Sequence, residues 1–108
     1  MRVLLDECVP RKLKSGLTGH ECRTVPEEGL AGKRNGELLS LAEKAGFDVF
    51  LSVDRGIEFQ QNLQSRRIAV LLVSSPSSRL SDLLPHVSEI LERLEGLGPG
   101  ELRRRGLV

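Results

Sequence analysis

Three short apolar runs, each closing on a polar or acidic residue, constrain this chain more than any other feature. Arg2–Leu5 runs into Asp6 and Glu7, Val49–Val53 lands on Asp54, and Ile68–Val73 ends at Ser74 and Ser75. Runs of four to six apolar residues without polar alternation suit strands buried on both faces, as in a parallel sheet covered by helices. The segments between them carry helical signals. Arg11–Gly16 is a short helical pattern with Pro10 in its first turn and Gly16 or Gly19 ending it. Glu21–Val25 reads as a second strand stopped by Pro26, and Pro26–Arg34 as a loop. From Asn35, an N-cap, Leu38, Leu41, Ala42 and Ala45 form one apolar face, with Glu37 favouring the first-turn dipole and Gly46 closing the helix. A helical turn is expected over Ile57–Leu63 and a turn cluster over Ser74–Ser78. Leu80, Leu83, Leu84, Val87, Ile90, Leu91 and Leu94 follow helical spacing, with a kink or restart at Pro85. Gly96–Gly100 breaks that helix, and Glu101–Val108 is an edge strand or a loose tail.

Strand and helix alternating over short connections predict one α/β domain over residues 1–108: a three-layer α/β/α arrangement with a mainly parallel sheet of four or five strands. The 108 residues, 39% of them hydrophobic, are enough for one core without staples. There is no internal repeat and no linker that marks a second domain.

Charge and composition narrow the function. Sixteen Lys and Arg stand against 15 Asp and Glu, a formal charge of +1, with three Phe and no Trp or Tyr. Near-neutrality argues against holding nucleic acid by bulk charge, and the scarcity of rings against base stacking. Two cysteines, Cys8 and Cys22, are too few for a disulfide framework and read as buried free thiols. No charged-then-apolar leader opens the chain and no apolar stretch approaches a membrane span, so a soluble cytoplasmic protein is expected.

In open parallel sheets, ligands sit at the carboxyl ends of the strands. There the runs deliver Asp6 and Glu7, then Asp54 with Ser52 near it, then Ser74 and Ser75, while Glu37 opens the helix at the same edge. Carboxylates converging on one volume raise each other's pKa unless a cation neutralises them. Hard oxygen ligands suit Mg²⁺ or Mn²⁺, and such an ion activates water and clamps a phosphate oxygen. Metal-assisted phosphodiester hydrolysis follows as a reaction class. Each acid also has a plainer reading: Asp6 as a cap near Pro10, Glu7 as a solvated loop acid, Glu37 as a dipole partner, Asp54 as a turn residue. Arg11, Lys12 and Lys14, then Arg66–Arg67 and Arg103–Arg105, are basic runs that suit either a solvated surface or a polyanion's backbone. His20 and His86 share no predictable face, and no phosphate-cradling glycine loop is present.

Val3-Leu4-Leu5-Asp6-Glu7-Cys8-Val9-Pro10 resembles the "LLDE-x-x-P" opening of the PIN-like domains, relatives of the PIN ribonucleases found as toxins in bacterial toxin–antitoxin pairs. Asn35-Gly36-Glu37-Leu38-Leu39 resembles that family's acidic helix, and Phe50-Leu51-Ser52-Val53-Asp54-Arg55 its "LT-x-D" strand end. The likeness runs from residue 1 to about 75. It implies a PIN-like fold, Mg²⁺- or Mn²⁺-dependent cleavage of RNA, and a small antitoxin protein as partner. On this reading Asp6, Glu37 and Asp54 are catalytic and hold metal, with Glu7 and Glu58 assisting, and Arg11, Lys12 and Arg55 hold the RNA backbone. Two positions depart from the family: Asn35 and Gly56 stand where many relatives carry Asp. Glu37 and Glu58 are then the nearest acids, and Gln60, Gln61 and Asn62 add neutral polar groups. The departures equally suit a catalytically silent member that acts through a partner. A response-regulator receiver is a third reading, with Asp54 as phospho-acceptor. The final helix's apolar face serves either the core or a homodimer.

Overall fold

The computed structural model describes residues 1–33, 35–54, 66–98 and 102–105. Strand β1 (Arg2–Leu5) leads into a 3-10 helix over Arg11–Gly16, then strand β2 (Glu21–Thr24), helix α1 (Asn35–Lys44) and strand β3 (Val49–Asp54). Strand β4 (Ala69–Ser74) follows, then helix α2 (Leu80–Leu83), a 3-10 turn at Leu84–His86, helix α3 (Val87–Glu95) and strand β5 (Leu102–Arg105). The five strands make one sheet in the order β2-β1-β3-β4-β5, every neighbouring pair parallel. The expected Ile57–Leu63 turn lies outside the described residues.

The apolar strands β1, β3 and β4 are buried on both faces, as their unbroken apolar runs require, whereas β2, at the sheet's edge, exposes Glu21 and Arg23. Val3, Leu5, Val49, Leu51, Val53, Leu71 and Val73 face one layer, where Val9, Leu13, Leu17, Leu83, Ile90 and Leu94 cover them. Leu4, Phe50, Val70 and Leu72 face the other, against Val25, Leu38, Leu39, Ala42 and Phe47. The expected three layers are present: α1 on one side, the first 3-10 helix with α2 and α3 on the other.

Local readings shift in three places. In α1 the buried face is Leu38, Leu39 and Ala42, while Leu41 is half-buried and Ala45 exposed. One residue of rotation separates this stripe from the expected one, and α1's docking against Phe50 and Phe47 selects it. The long helical pattern is split at Pro85, as its missing N–H demands. Three residues of tighter 3-10 winding then turn Leu84 outward to 47% exposure, while Leu83, Ile90 and Leu94 stay buried. Leu83, Ile90 and Leu94 pack in the molecule's own core rather than offering a dimer face. Finally, both thiols are free but only half-buried.

The topology has a defined switch point. From β1 the chain crosses the 3-10 face to β2, then returns over the α1 face to β3 on the other side of β1. The carboxyl ends of β1 and β3 therefore flank the place where the two crossovers diverge. The α2–α3 connection advances from β4 to β5 in the same direction as α1 but over the opposite face, so these two crossovers have opposite hands. A six-residue 3-10 helix covers only part of its face, and α3 packs beside it: an added Cβ on Gly16 would lie 3.2 Å from Val87 Cγ2. Among the described residues, no helix is long and apolar enough to cross a membrane.

Candidate functional site

The carboxyl end of β1 is held on both sides. Val25 N–H donates to Leu5 O, and Asp6 N–H donates to Leu51 O, both at 2.9 Å. Asp6 then opens a tight turn in which Val9 N–H returns to Asp6 O at 2.9 Å. Its side chain is equally constrained. Ser52 Oγ donates to Asp6 Oδ2 at 2.7 Å, and Glu7 N–H donates to Asp6 Oδ1 at 2.7 Å. Cys8 Sγ lies 3.8 Å from Asp6 Oδ2 and 3.8 Å from Ser52 Oγ. Ser52, on β3 and only 8% exposed, is one of two buried polar residues among those described. The 2.7 Å bond to Asp6 satisfies a hydroxyl that would otherwise be costly to bury.

Asp54 ends β3, two residues beyond Ser52, and pairs in register with Ser74 of β4. Counting on from the Leu5–Leu51 pair, Asp54 lies three residues further along β3, at the same carboxyl edge as the Asp6 turn. The side chain of Asp54, and residues Arg55, Glu58, Gln60, Gln61 and Asn62, lie outside the described residues. So do Asn35's side chain and those of Arg103–Arg105, whose backbone belongs to β5.

The other expected site residues are placed differently. Glu7 is exposed and its Oε1 accepts from Gly32 N–H at 2.7 Å, tying the β1 turn to the loop before α1. Gly32 adopts φ +84°, a conformation glycine enters without strain. Glu37 is exposed in the first turn of α1, where Lys33 Nζ stands 3.9 Å from its Oε1. Among the described residues no three His, Cys, Asp or Glu side chains gather as a metal-binding group. Asp6, Glu7 and Glu37 therefore do not by themselves form one carboxylate cluster. Arg11 and Lys12 are exposed at the start of the 3-10 helix, directly after the Asp6 turn. Arg66 belongs elsewhere: its guanidinium docks on α1 through Ser40 Oγ at 3.1 Å, Glu43 Oε1 at 3.5 Å and Gly36 O at 3.4 Å. Lys14 is committed to Glu27 at 2.6 Å.

That last pair sets the local electrostatics of the β2–α1 turn. Thr24 N–H donates to Glu27 Oε1 at 2.9 Å and Thr24 Oγ1 accepts from Glu27 N–H at 3.2 Å, a reciprocal cap. The Lys14 ammonium first, then the Thr24 amide, hold the Glu27 carboxyl down to about 2. Burial pushes the Cys22 thiol up, against the pull of Lys14.

The sequence puts Ser52 near the site, but reading Cys8 as a buried free thiol misses its contacts with Asp6 and Ser52. The available signal was the Asp6-x-Cys8 spacing ahead of Pro10, which in a tight turn returns the third residue towards the first. Searches of family models, of curated proteins and of solved structures each returned no significant match to this chain. The functional reading accordingly rests on the residues and their placement.

Proposed function

We propose that this chain is a PIN-like, divalent-metal-dependent ribonuclease whose centre lies at the carboxyl ends of β1 and β3. One observation supports the reading: Asp6, directly after β1, and Asp54, the last residue of β3, stand at the carboxyl ends of neighbouring strands, where such folds bind ligands. The donor chemistry suits Mg²⁺ or Mn²⁺. Asp6 is a hard oxygen ligand whose orientation is fixed by Ser52 and the Glu7 amide. Asp6 and Asp54 would hold the ion, with Glu37 and Glu58 as further acids. When bound, the ion supplies charge neutralisation at the phosphate and a more acidic water. Arg11 and Lys12, exposed beside the Asp6 turn, would meet the RNA backbone. By the same resemblance the partner would be a small antitoxin protein.

The engagement of Glu7 by Gly32 and of Glu37 by Lys33 favours one second reading, a catalytically silent module of the same fold. The strand order is also that of receiver domains. No Lys occurs beyond Lys44, however, so the phosphoryl-neutralising lysine that receivers place after the fifth strand has no counterpart.

Incubation with a mixed RNA pool in Mn²⁺ separates these. The nuclease reading expects cleavage that is lost in Asp6→Asn and in Asp54→Asn. Cleavage surviving both substitutions, or none with either metal in the unsubstituted protein, rejects it. Labelling of Asp54 by acetyl phosphate would move the assignment to the receiver.

A further inference from the structure

Among the described residues three donors meet the Asp6 carboxylate, and its two oxygens share them unequally. Oδ2 takes the Ser52 hydroxyl at 2.7 Å and faces Cys8 Sγ at 3.8 Å, while among the described residues Oδ1 takes the Glu7 amide alone, at 2.7 Å. Proton accounting fixes the direction of the sulfur contacts. A hydroxyl carries one proton, and that of Ser52 is committed to Oδ2. In the 3.8 Å contact between Cys8 and Ser52 the proton therefore comes from the thiol. The thiol has one proton, so its S–H is shared between Ser52 Oγ and Asp6 Oδ2, each 3.8 Å from Sγ. Each carboxylate oxygen offers about two lone-pair directions. The Ser52 proton and a share of the thiol proton meet those of Oδ2, and among the described residues one direction of Oδ1 is left open.

We propose that Cys8 is a positioning residue: with Ser52 it occupies Oδ2, so that Asp6 offers a divalent cation Oδ1 alone. This rests on the metal-site reading above and specifies how that site is built. Cys8 is then not a ligand, although it lies within two residues of one. A single carboxylate oxygen per residue suits a small octahedral ion that keeps several waters. The hydrogen bonds to the other oxygen stop the carboxylate from rotating, the usual task of groups behind a metal ligand.

The test has one arm without metal and two with it. In a Cys22→Ala background the Cys8 S–H stretching band is read by infrared spectroscopy, in a window clear of other protein absorption. Asp6→Ala and Ser52→Ala are expected to move it to higher frequency, as an S–H that loses an acceptor does. A band that stays in place under both overturns the proposal. In the second arm Mn²⁺ affinity is read by electron paramagnetic resonance. Ser52→Ala is expected to weaken it by about tenfold, with Ser52→Thr and Cys8→Ser near the unsubstituted value. Equal weakening by Cys8→Ser and Cys8→Ala, together with a thiolate-to-metal charge-transfer band when Co²⁺ is added, would make Cys8 a ligand and overturn the proposal. Failure of the unsubstituted protein to bind Mn²⁺ rejects the metal-site reading itself, and the infrared arm still decides whether Cys8 and Ser52 hold Asp6.

Discussion

At the scale of single residues, Asp6 shows how little freedom a short acidic side chain retains at a strand end. Its backbone extends the β1–β3 ladder through Leu51, and its carboxylate is tied to Ser52 and Glu7. Glu27 is a second constrained acid, and its role has a pH signature. Its carboxyl lies at about 2 in the folded chain against an ordinary 4.5. A folded-state value below the unfolded one favours folding above the unfolded value, and that contribution fades as pH falls from about 4.5 towards 2. Acid unfolding followed by circular dichroism is expected to flatten over that window in Glu27→Gln. Because Glu27 is solvent-exposed, added salt should shrink the difference. The Asp6 to Glu7 opening was legible as chemistry from the residues alone. The hydrogen bond from Gly32 to Glu7 was not, because it joins positions 25 residues apart through a loop with no periodic signal.

At the scale of elements, the strands were read from their composition and the helix faces only approximately. A run such as Ala69–Val73 is buried whichever way its residues point, so its burial is independent of register detail. An amphipathic helix has a stripe wide enough to admit more than one docking angle, and α1 settles a residue away from the expected face. Leu39→Ala is therefore expected to cost about 2–5 kcal/mol, and Ala45→Ser close to nothing, by urea denaturation. The same contrast holds at the split helix. Leu83 is 1% exposed and Leu84 is 47% exposed, so Leu83→Ala should destabilise by about 2–5 kcal/mol and Leu84→Ala by well under 1 kcal/mol. Gly16 tests the contact between the 3-10 helix and α3. With Val87 Cγ2 3.2 Å from its virtual Cβ, Gly16→Val should cost about 1–3 kcal/mol, part of which Val87→Ala restores.

For the whole molecule, the consequence of the sheet order is that two acids 48 positions apart in sequence end on adjacent strands. If they share an ion, saturating Mn²⁺ at about 100 times its dissociation constant adds about 2.7 kcal/mol to folding stability. For a domain of this size that is a rise of roughly 10 °C in Tm by scanning calorimetry. The rise is expected to vanish in the Asp6→Asn, Asp54→Asn double variant. A Tm that ignores Mn²⁺ in the unsubstituted protein would leave the carboxyl edge without its metal.

By itself the sequence determined strands β1 to β4 and the helical segments packed on them, the α/β class, the burial of β1, β3 and β4 on both faces and the identity of the acids at the ends of β1 and β3. These follow from local composition and period, which each segment carries whatever its neighbours do. Tertiary structure decided the β2-β1-β3-β4-β5 order, the face on which α3 packs and the angle at which α1 docks. It also separated Asp6, held by Ser52 and Cys8, from Glu7 and Glu37, which are engaged by Gly32 and Lys33. Those outcomes depend on which strands become neighbours and on how side chains pack across the layers between them. Such long-range complementarity leaves no mark in any single window of the chain.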